Sequence, residues 1–314
     1  MKIVEAKEAR ERLTPEICIE LMKEALMRLD KGEAMQPPRS VNGIPGGNLF
    51  GFMPAYLGAD YFGAKVITAF PGNHGSEYPS HMGYVMMFES THGSPLGMAD
   101  CSVITEVRTG AVSAAATDLL ARKDATKLAI IGAGAQGRSH TDAIFVVRPG
   151  ITEISVYDIR KESSERYAKE MEEKHGVPVR VCESVEEAVK DADIICTVTP
   201  SKEAYLKKEW VKPGAHINAV GTFSPDTAEV TPELVATSRL YADNIEQMKR
   251  ESGEYLTPLK QGLIKEDHVA GTIGEILLGK VPGRTSEEEI TLFDALGLAV
   301  EDVICGKYLV CEDA

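Results

Sequence analysis

The sequence lacks the features that mark membrane and secreted proteins. No stretch approaches the roughly 18 consecutive apolar residues that a membrane-spanning helix needs. The first residues, "MKIVEAKEARERL", carry charges throughout and contain no apolar segment like that of a secretion signal. We therefore expect a cytoplasmic protein without a membrane partner.

Basic residues and paired cysteines are also scarce. The chain has 34 lysines and arginines against 48 aspartates and glutamates, which gives a formal net charge of −14. An acidic surface repels phosphate backbones, so we expect no nucleic-acid partner. The six cysteines form no C-x-x-C pair, which argues against a zinc or dithiol site and favours reduced, mostly buried thiols. We expect no bound metal.

The chain is long enough for more than one core. Its 314 residues exceed the usual size of one domain, and 43% of them are hydrophobic. Short β-rich segments such as "FGAKVITAF" and "YVMMFES" occur among frequent glycines and prolines over residues 36–105. They predict hairpins in a mixed sheet. A run of small residues, "ITEVRTGAVSAAATDLLARK", predicts a long helix over about residues 106–122.

A different pattern begins at Lys127. Apolar strands such as "KLAIIGAG" and "EISVYDIR" alternate with helical segments of about ten residues, which predicts a parallel sheet with helices on both faces. The predicted fold is therefore α/β, with a Rossmann-type, doubly wound parallel sheet domain and a mixed α+β domain. A last helix, with no strand after it, is predicted over about residues 292–308.

A glycine-rich loop provides the most specific local signal. The G-x-G-x-x-G hexapeptide follows an apolar strand and opens a helix, which is the context that a dinucleotide site requires. Glycines at its three fixed positions allow a tight turn, close approach of the pyrophosphate, and helix–strand packing. The helix N-terminus adds partial positive charge. The predicted phosphate-binding residues are Gly132, Gly134, Ala135, Gln136 and Gly137.

An acidic residue follows the next predicted strand. Asp158 stands 21 residues after Gly137, where a carboxylate accepts hydrogen bonds from the adenosine ribose hydroxyls. A carboxylate at that position repels a 2′-phosphate, so NAD(H) is favoured over NADP(H) as the cofactor. Arg160, two residues further on, softens this preference.

Three cations lie in uncharged surroundings in the first part of the chain. Arg39, Lys65 and Arg108 are candidates for holding a substrate carboxylate, a task for which a guanidinium fork is well suited. Alternation with Val66 and Thr68 would also let Lys65 face solvent. Arg108 opens the predicted small-residue helix, where its charge opposes the helix dipole unless an anion binds there.

Two polar residues in "YPSHMG" are further candidates. Ser80 and His81 are adjacent, and a histidine can titrate near neutral pH. An ordinary loop role is at least as consistent with the sequence for either residue.

The whole chain resembles the ornithine cyclodeaminase/mu-crystallin family. The resemblance rests on several motifs in order: the "PPR" at Arg39, "GAKV" with Lys65, "PGN", "DCSVITEVRTGAVSAAATDLLAR", "IIGAGAQG", "VYDIR", "WVKPGAHINAVG", "GEILLGKVPGR" and "ITLFDALGLAVED". It implies a dimer of two-domain subunits. Residues 1–119, completed by a C-terminal helix at 288–314, would bind substrate and form the dimer, and residues 120–287 would form the Rossmann NAD-binding domain.

The resemblance also assigns roles to individual residues. It implies that Arg39, Lys65 and Arg108 surround the substrate carboxylate, with Lys65 as the catalytic residue. The predicted substrate-binding residues are Arg39, Lys65, Ser80, His81, Arg108 and Phe223. Besides the glycine-rich loop and Asp158, the predicted cofactor-binding residues are Arg108, Thr109, Thr199, Val220, Gly221 and Gly297.

Phe223 distinguishes two reactions of this family. Cyclodeaminases convert L-ornithine to L-proline and ammonia, and they resemble one another in carrying an aspartate two residues after the glycine that corresponds to Gly221. Such a base frees the attacking amine of its proton. Because this chain has Phe223 there, the sequence favours an amino-acid dehydrogenase or imine (ketimine) reductase. Two alternatives stay open: cyclodeaminase activity with Asp226 or Glu229 as a displaced base, and a non-catalytic binding protein.

Overall fold

A computed structural model of the chain describes residues 1–59, 61–73 and 76–312. The chain divides into two units, Met1–Arg108 with Gly297–Ala314, and Thr109–Leu296. The assignment of substrate and cofactor roles to the two predicted segments, 1–119 with 288–314 and 120–287, stays a prediction.

The first unit contains a six-stranded sheet and the helices that pack on it. Its strands are β1 (Lys2–Val4), β2 (Ser40–Ile44), β3 (Asn48–Leu57), β4 (Tyr61–Ala69), β5 (His81–Glu89) and β6 (Pro95–Asp100). Its helices are α1 (Ala6–Arg12), α2 (Pro15–Asp30) and the first residues of α3 (Cys101–Leu120), followed at the end of the chain by the helix Ala299–Cys311. The strand order is β1-β6-β5-β4-β3-β2, and only the β1–β6 pair is parallel. The predicted mixed sheet is confirmed.

The C-terminal helix lies directly on one face of this sheet. A Cβ atom on Gly306 would lie 2.7 Å from Val85 Cγ1 and 2.9 Å from Met87 Sδ, so glycine is required for this approach. Asp302 is one turn earlier on the same helix face. Val85 is the register partner of Lys65 on β4. The close packing at Gly306 therefore brings the carboxylate of Asp302 to the middle of β4.

The second unit alternates strands and helices. Its strands are β7 (Lys127–Ile131), β8 (Glu153–Tyr157), β9 (Val179–Val181), β10 (Ile194–Thr197), β11 (His216–Ala219), β12 (Arg239–Ala242), β13 (Val269–Thr272) and β14 (Thr291–Asp294). Its helices after α3 are α4 (Ala135–Val147), α5 (Lys161–His175), α6 (Val185–Val189), α7 (Pro232–Thr237), α8 (Ile245–Glu251), α9 (Gly253–Lys260) and α10 (Ile273–Leu277), and the helix Ala299–Cys311 of the first unit is α11.

The sheet of the second unit is parallel throughout. Its order is β13-β12-β14-β11-β10-β7-β8-β9. The central strands are apolar and buried, with Leu128, Ile195, Ile217 and Leu292 at most 1% exposed. The chain leaves β7 toward β8 and β9, then returns to place β10 on the other side of β7. This reversal makes a topological switch point between β7 and β10, where such sheets bind ligands at their carboxyl edge.

The predicted last helix is partly wrong. Residues 291–294 form β14, which pairs with both β11 and β12, and α11 begins only at Ala299. The segment "TLFD" is short and apolar, so its periodicity does not distinguish a buried strand from a helix. Strand pairing with neighbours distant in sequence decides its conformation. Across the described ranges of the chain, no helix is both long enough and apolar enough to span a membrane.

Candidate active site

Lys65 is buried in the centre of the first unit. It lies on β4 between Met53 and Val85 and is only 2% exposed. Its Nζ atom is 2.7 Å from Oδ2 of Asp302. The alternative that Lys65 faces solvent is therefore wrong, because the strand turns this position toward α11. Burial lowers the pKa of Lys65, and the charge of Arg108 lowers it further, while Asp302 opposes the shift.

Arg108 joins the same group of charges. Its Nη1 atom donates to Glu301 Oε2 at 2.8 Å, and its Nε atom is 3.3 Å from Asp302 Oδ1. The helix α3 begins at Cys101, so Arg108 is well inside the helix and the expected conflict with the helix N-terminus is wrong. Two buried carboxylates balance the charges of Lys65 and Arg108. We call Lys65, Arg108, Glu301 and Asp302 the charge cluster.

Gly297 contacts the guanidinium of Arg108. It adopts a φ of 77°, and a Cβ atom there would lie 2.7 Å from Arg108 Nη1. Only glycine satisfies both the backbone conformation and this approach. Its predicted contact with the cofactor stays a prediction.

The two acids of the charge cluster were missed in the sequence. Both Glu301 and Asp302 are 0% exposed. The signal was present, because the two adjacent carboxylates occur in "LAVEDVICG", which is otherwise uncharged. Buried charges in such a segment need partners, and the chain supplies them from β4 and α3.

His81 lies close enough to Lys65 to be influenced by its charge. Burial lowers the pKa of His81, and Lys65 lowers it further. The side chains of Ser80 and His81 interact through Oγ and Nδ1 at 3.0 Å. Arg39 directly precedes β2 and is partly buried. The substrate-binding roles of these three residues stay predictions.

The glycine-rich loop in the second unit has the geometry that a pyrophosphate requires. Gly132 follows β7 with a φ of 110°, and Gly134 caps α4. A Cβ atom on Gly137 would lie 2.4 Å from the carbonyl oxygen of Gly132, whereas no atom lies within 4 Å of such a Cβ on Gly134. The first and third glycines therefore close the turn, and the second leaves space. Ala135 and Gln136 form the first turn of α4, whose N–H groups favour an anion. The described residues fit a dinucleotide.

Asp158 holds the glycine-rich loop in place. It follows β8, and its Oδ2 atom accepts a hydrogen bond from Ala133 N at 2.9 Å. Its Oδ1 atom accepts from Arg160 N at 2.9 Å, and Arg160 Nε is 3.7 Å away. The carboxylate thus lies beside the loop, and the arginine lies beside the carboxylate. The contact of Asp158 with the ribose stays a prediction.

The ends of β10 and β11 carry the remaining predicted residues of the second unit. Thr199 approaches the glycine-rich loop, since its Cγ2 atom would be 3.2 Å from a Cβ on Gly132. Val220 and Gly221 directly follow β11, and Phe223 is 51% exposed. Thr109 is buried in α3. The cofactor contacts assigned to these positions stay predictions.

The two proposed displaced bases differ in their surroundings. Asp226 is exposed, whereas Glu229 is 0% exposed. Oε1 of Glu229 accepts hydrogen bonds from Thr199 and Tyr205, and Oε2 accepts from the backbone N–H of Gly221. Since both oxygens are engaged by donors inside the unit, Glu229 is unsuited to take a proton from a substrate. Over residues 1–59, 61–73 and 76–312, no three His, Cys, Asp or Glu side chains converge on a metal site.

Comparison with known proteins gives matches over nearly the whole chain. The model of the ornithine cyclodeaminase/mu-crystallin family matches residues 1–313. Ketimine reductase mu-crystallin of Mus musculus is 38% identical over 308 residues, covering 96% of this chain and 94% of that protein. The structure of Thermococcus litoralis Δ1-pyrroline-2-carboxylate reductase with NADH and L-proline has a TM-score of 0.95 at 34% identity, covering 99% of this chain and 96% of that one. An archaeal alanine dehydrogenase dimer with bound NAD has a TM-score of 0.92 at 31% identity, covering 98% and 94%.

Proposed function

The chain belongs to the ornithine cyclodeaminase/mu-crystallin family, and from this premise we propose that it is an NAD(P)-dependent oxidoreductase acting on the C–N bond of a small α-imino or α-amino acid. Its relatives include reductases of ketimines and of Δ1-pyrroline-2-carboxylate, and an alanine dehydrogenase. The observation that carries the proposal is the charge cluster, in which a buried lysine and arginine are held by two buried carboxylates.

The substrate carboxylate is the proposed partner of Arg108, together with Arg39 and Lys65. Glu301 and Asp302 hold the guanidinium in a single orientation, because both acids are themselves fully buried. A cation ordered in advance loses little conformational freedom when the substrate binds. The two acids already balance the charges of Lys65 and Arg108. The negative charge of a bound substrate therefore needs one more cation to balance it, and Arg39 is the proposed one.

Lys65 is the proposed proton donor to the imine nitrogen. A bound NAD(P)H supplies the hydride that reduces the imine carbon. Burial lowers the pKa of Lys65, which brings the ammonium group closer to the acidity that general acid catalysis needs near neutral pH. Asp302 keeps the Nζ atom in a fixed position at 2.7 Å. Proton and hydride together convert the C=N bond into an amine.

Phe223 supports imine reduction over cyclodeamination. An exposed aromatic residue occupies the position at which the family's cyclodeaminases resemble one another in carrying an aspartate. Internal donors engage both oxygens of Glu229, and we infer that it is unsuited to replace that base. Asp226 is exposed and is the residue on which a cyclodeaminase activity would have to rely.

The preferred cofactor is proposed to be NAD(H). Asp158 supports this preference, because its carboxylate lies beside the glycine-rich loop and would repel a 2′-phosphate. A ratio of kcat/KM for NADH over NADPH well above one is expected. A clear preference for NADPH would show that Arg160 outweighs Asp158.

The proposed assembly is a homodimer. Alternate residues of β3, Phe50, Phe52 and Tyr56, are each more than 40% exposed and lie on one face of the sheet of the first unit. Exposed apolar side chains in such a group indicate a surface that another chain covers. The related alanine dehydrogenase is a dimer. Light scattering coupled to size-exclusion chromatography is expected to give twice the mass of one chain.

The reaction can be tested with a panel of substrates. NADH oxidation would be followed with Δ1-pyrroline-2-carboxylate and other cyclic ketimines, with pyruvate plus methylamine, and with pyruvate plus ammonia. L-ornithine with NAD would be assayed in parallel for proline and ammonia. Imine-dependent oxidation of NADH is the expected result. Proline formed from ornithine without net NADH would instead establish a cyclodeaminase, and tight NADH binding without turnover on any substrate would indicate a binding protein.

A further inference from the structure

We propose that Glu229 is a positioning residue of the cofactor site, where it joins the ends of β10 and β11 and holds Thr199 beside the glycine-rich loop. The inference rests on the proposed function in one respect, namely that the carboxyl edge of this sheet binds a dinucleotide. Glu229 would thus act as a positioning residue and not as the displaced base of a cyclodeaminase.

The carboxylate of Glu229 bonds to both strand ends. Its Oε1 atom accepts hydrogen bonds from Thr199 N at 2.7 Å, from Thr199 Oγ1 at 2.6 Å and from the Tyr205 hydroxyl at 2.7 Å. Its Oε2 atom accepts from Gly221 N at 2.7 Å. Two oxygens thus serve four donors, and Thr199 and Gly221 belong to different strand ends.

A carboxylate is needed because the sheet ladder stops short of these residues. The last register pair of β10 and β11 is Thr197 with Ala219. The N–H groups of Thr199 and Gly221 lie beyond it in a partly buried region, where each is best satisfied by another acceptor. Glu229 provides one oxygen to each, and thereby extends the connection between the strands past the end of the ladder.

The position of Thr199 bears directly on the cofactor site. Its Cγ2 atom would be 3.2 Å from a Cβ on Gly132, the first glycine of the loop. The crevice between β7 and β10 is the switch point of the sheet, where a dinucleotide binds. Gly221 is equally constrained, since a Cβ there would lie 2.1 Å from Thr199 O and 2.7 Å from Glu229 Cδ. Glu229 therefore fixes one wall of the crevice.

The backbone of Glu229 is itself held firmly. Its N–H donates to Glu254 Oε1 at 2.7 Å. Its carbonyl oxygen accepts from the N–H groups of Tyr205 and Leu206, each at 2.9 Å. A side chain on so fixed a backbone can impose its geometry on the two strand ends.

The test is Glu229→Gln in the full-length chain, with NADH binding measured by fluorescence titration. Glutamine keeps the shape but turns one acceptor into a donor. The amide nitrogen of the new glutamine must then face either the N–H group of Gly221 or the three donors around Oε1. In either case one of the two strand ends loses its hydrogen bond to residue 229. The dissociation constant of NADH is expected to rise about tenfold or more, a loss typical of a buried charged hydrogen bond. The KM of the imine at saturating NADH should stay within about twofold, because Glu229 is proposed to act only through the cofactor site.

Asp193→Asn is the matched control. The Asp193 carboxylate accepts from the N–H groups of Thr126 and Lys127, both at 2.9 Å, at the amino ends of β7 and β10. It makes the same kind of bond at the opposite edge of the sheet. The variant should lose stability yet leave the NADH dissociation constant within about twofold. Tyr205→Phe, which removes one donor of four, provides a milder change and should weaken NADH binding by about two- to fivefold.

Several outcomes would overturn the role of Glu229. An unchanged NADH dissociation constant in Glu229→Gln is one, and an equal loss in Glu229→Gln and Asp193→Asn, which would indicate a general loss of structure, is another. If Glu229→Gln does not fold, unchanged NADH binding in Tyr205→Phe overturns it. Failure of the wild-type chain to bind NADH would instead overturn the proposed function, and the cofactor site with it.

Discussion

The two units bury carboxylates in opposite ways. In the first unit, the fully buried Glu301 and Asp302 face the cations Arg108 and Lys65 at 2.8 and 2.7 Å. In the second unit, a group of acids that are at most 2% exposed is bonded to backbone N–H groups and hydroxyls. These acids are Glu229, Glu254 and Asp294, and their donors include Gly221 N, Glu229 N and the hydroxyls of Thr199, Thr222 and Ser252.

The difference shows in the ionisation of the groups. Burial raises the pKa of Glu229, raises that of Glu254 to about 7, and raises that of Asp294 well above its usual value. Burial lowers the pKa of Lys65, although Asp302 opposes this. In the first group, each buried acid faces a cation, and the opposite charges offset the cost of burying one another. Dipolar donors in the second group fix the shape of the strand ends but only partly compensate the charge. Chemistry is therefore expected from the first group and positioning from the second.

The largest expected effect comes from removing the cation of the first group. Lys65→Met should lower kcat/KM by about 10²- to 10⁴-fold, the range of general acid catalysis. NADH binding by titration should be unchanged. The substitution also removes the ammonium partner of Asp302, which keeps its 3.3 Å contact with Arg108 Nε. The expected cost is therefore about 3 kcal/mol of unfolding free energy, the lower end of the range for a broken buried ion pair.

The double variant Lys65→Met/Asp302→Asn separates the two consequences. It should recover most of the stability in denaturant titrations, because position 302 then no longer carries a charge that has lost its ammonium partner, yet turnover should stay lost. Activity close to that of the wild type in either variant would remove Lys65 from the mechanism.

A smaller effect is expected when only the partner of the lysine changes. In Asp302→Asn, the pKa of Lys65 should fall further, because the charge that opposes its lowering is gone. A proton donor must be protonated, so activity is lost as pH rises through its pKa. The alkaline decline of kcat/KM should therefore move to lower pH, with about tenfold less activity near neutral pH. An unshifted pH profile would contradict the proposed pairing.

Sequence reasoning succeeded where the signal is local. The glycine-rich loop connects a strand and a helix that are consecutive in the chain, so the order of residues alone predicts the turn, the helix N-terminus and the place of Asp158 beside the loop. The apolar strands of the second unit were predicted for the same reason.

Sequence reasoning failed where interacting residues are far apart in the chain. Arg108 and Glu301 are 193 residues apart, so nothing near either residue in the sequence indicates the pair. The direction of Lys65 depends on which face of the sheet α11 covers. β14 is a strand because β11 and β12 bind it on both sides. The donors to Glu229 come from two separate strand ends, so the sequence does not show that its carboxylate is already engaged.

The contact between Gly297 and the guanidinium of Arg108 predicts a moderate effect on substrate binding. Gly297→Ala places a methyl group 2.7 Å from Arg108 Nη1 in a backbone conformation with φ of 77°, so the guanidinium must move. The substrate KM should rise about tenfold, corresponding to about 1.4 kcal/mol of binding. Gly32→Ala is the control, since its φ is 73° and no atom lies within 4 Å of the added Cβ. It should lose stability of about 1 kcal/mol without a change in KM, and an equal KM in both variants would refute the contact.

The smallest expected effect concerns the second group. The folded pKa of Glu254 is about 7 against an ordinary value of 4.5, so the folded chain binds more protons than the unfolded chain between these pH values. Its contribution to stability is complete below pH 4.5 and is lost as pH rises through about 7. The free energy of unfolding should thus fall by on the order of 1–3 kcal/mol between pH 5 and pH 8. Glu254→Gln, which mimics the protonated form, should lack this decline.

The single tryptophan, Trp210, lies in the second unit, so urea unfolding followed by its fluorescence reports this unit. Urea titrations at pH 5 and pH 8 on the wild type and Glu254→Gln would measure the decline. A decline of the same size in both proteins would mean that Glu254 is not the group that titrates in this range. The contrast between a group balanced by charge and a group balanced by dipoles would then lose its electrostatic basis, and only the difference in geometry would be left.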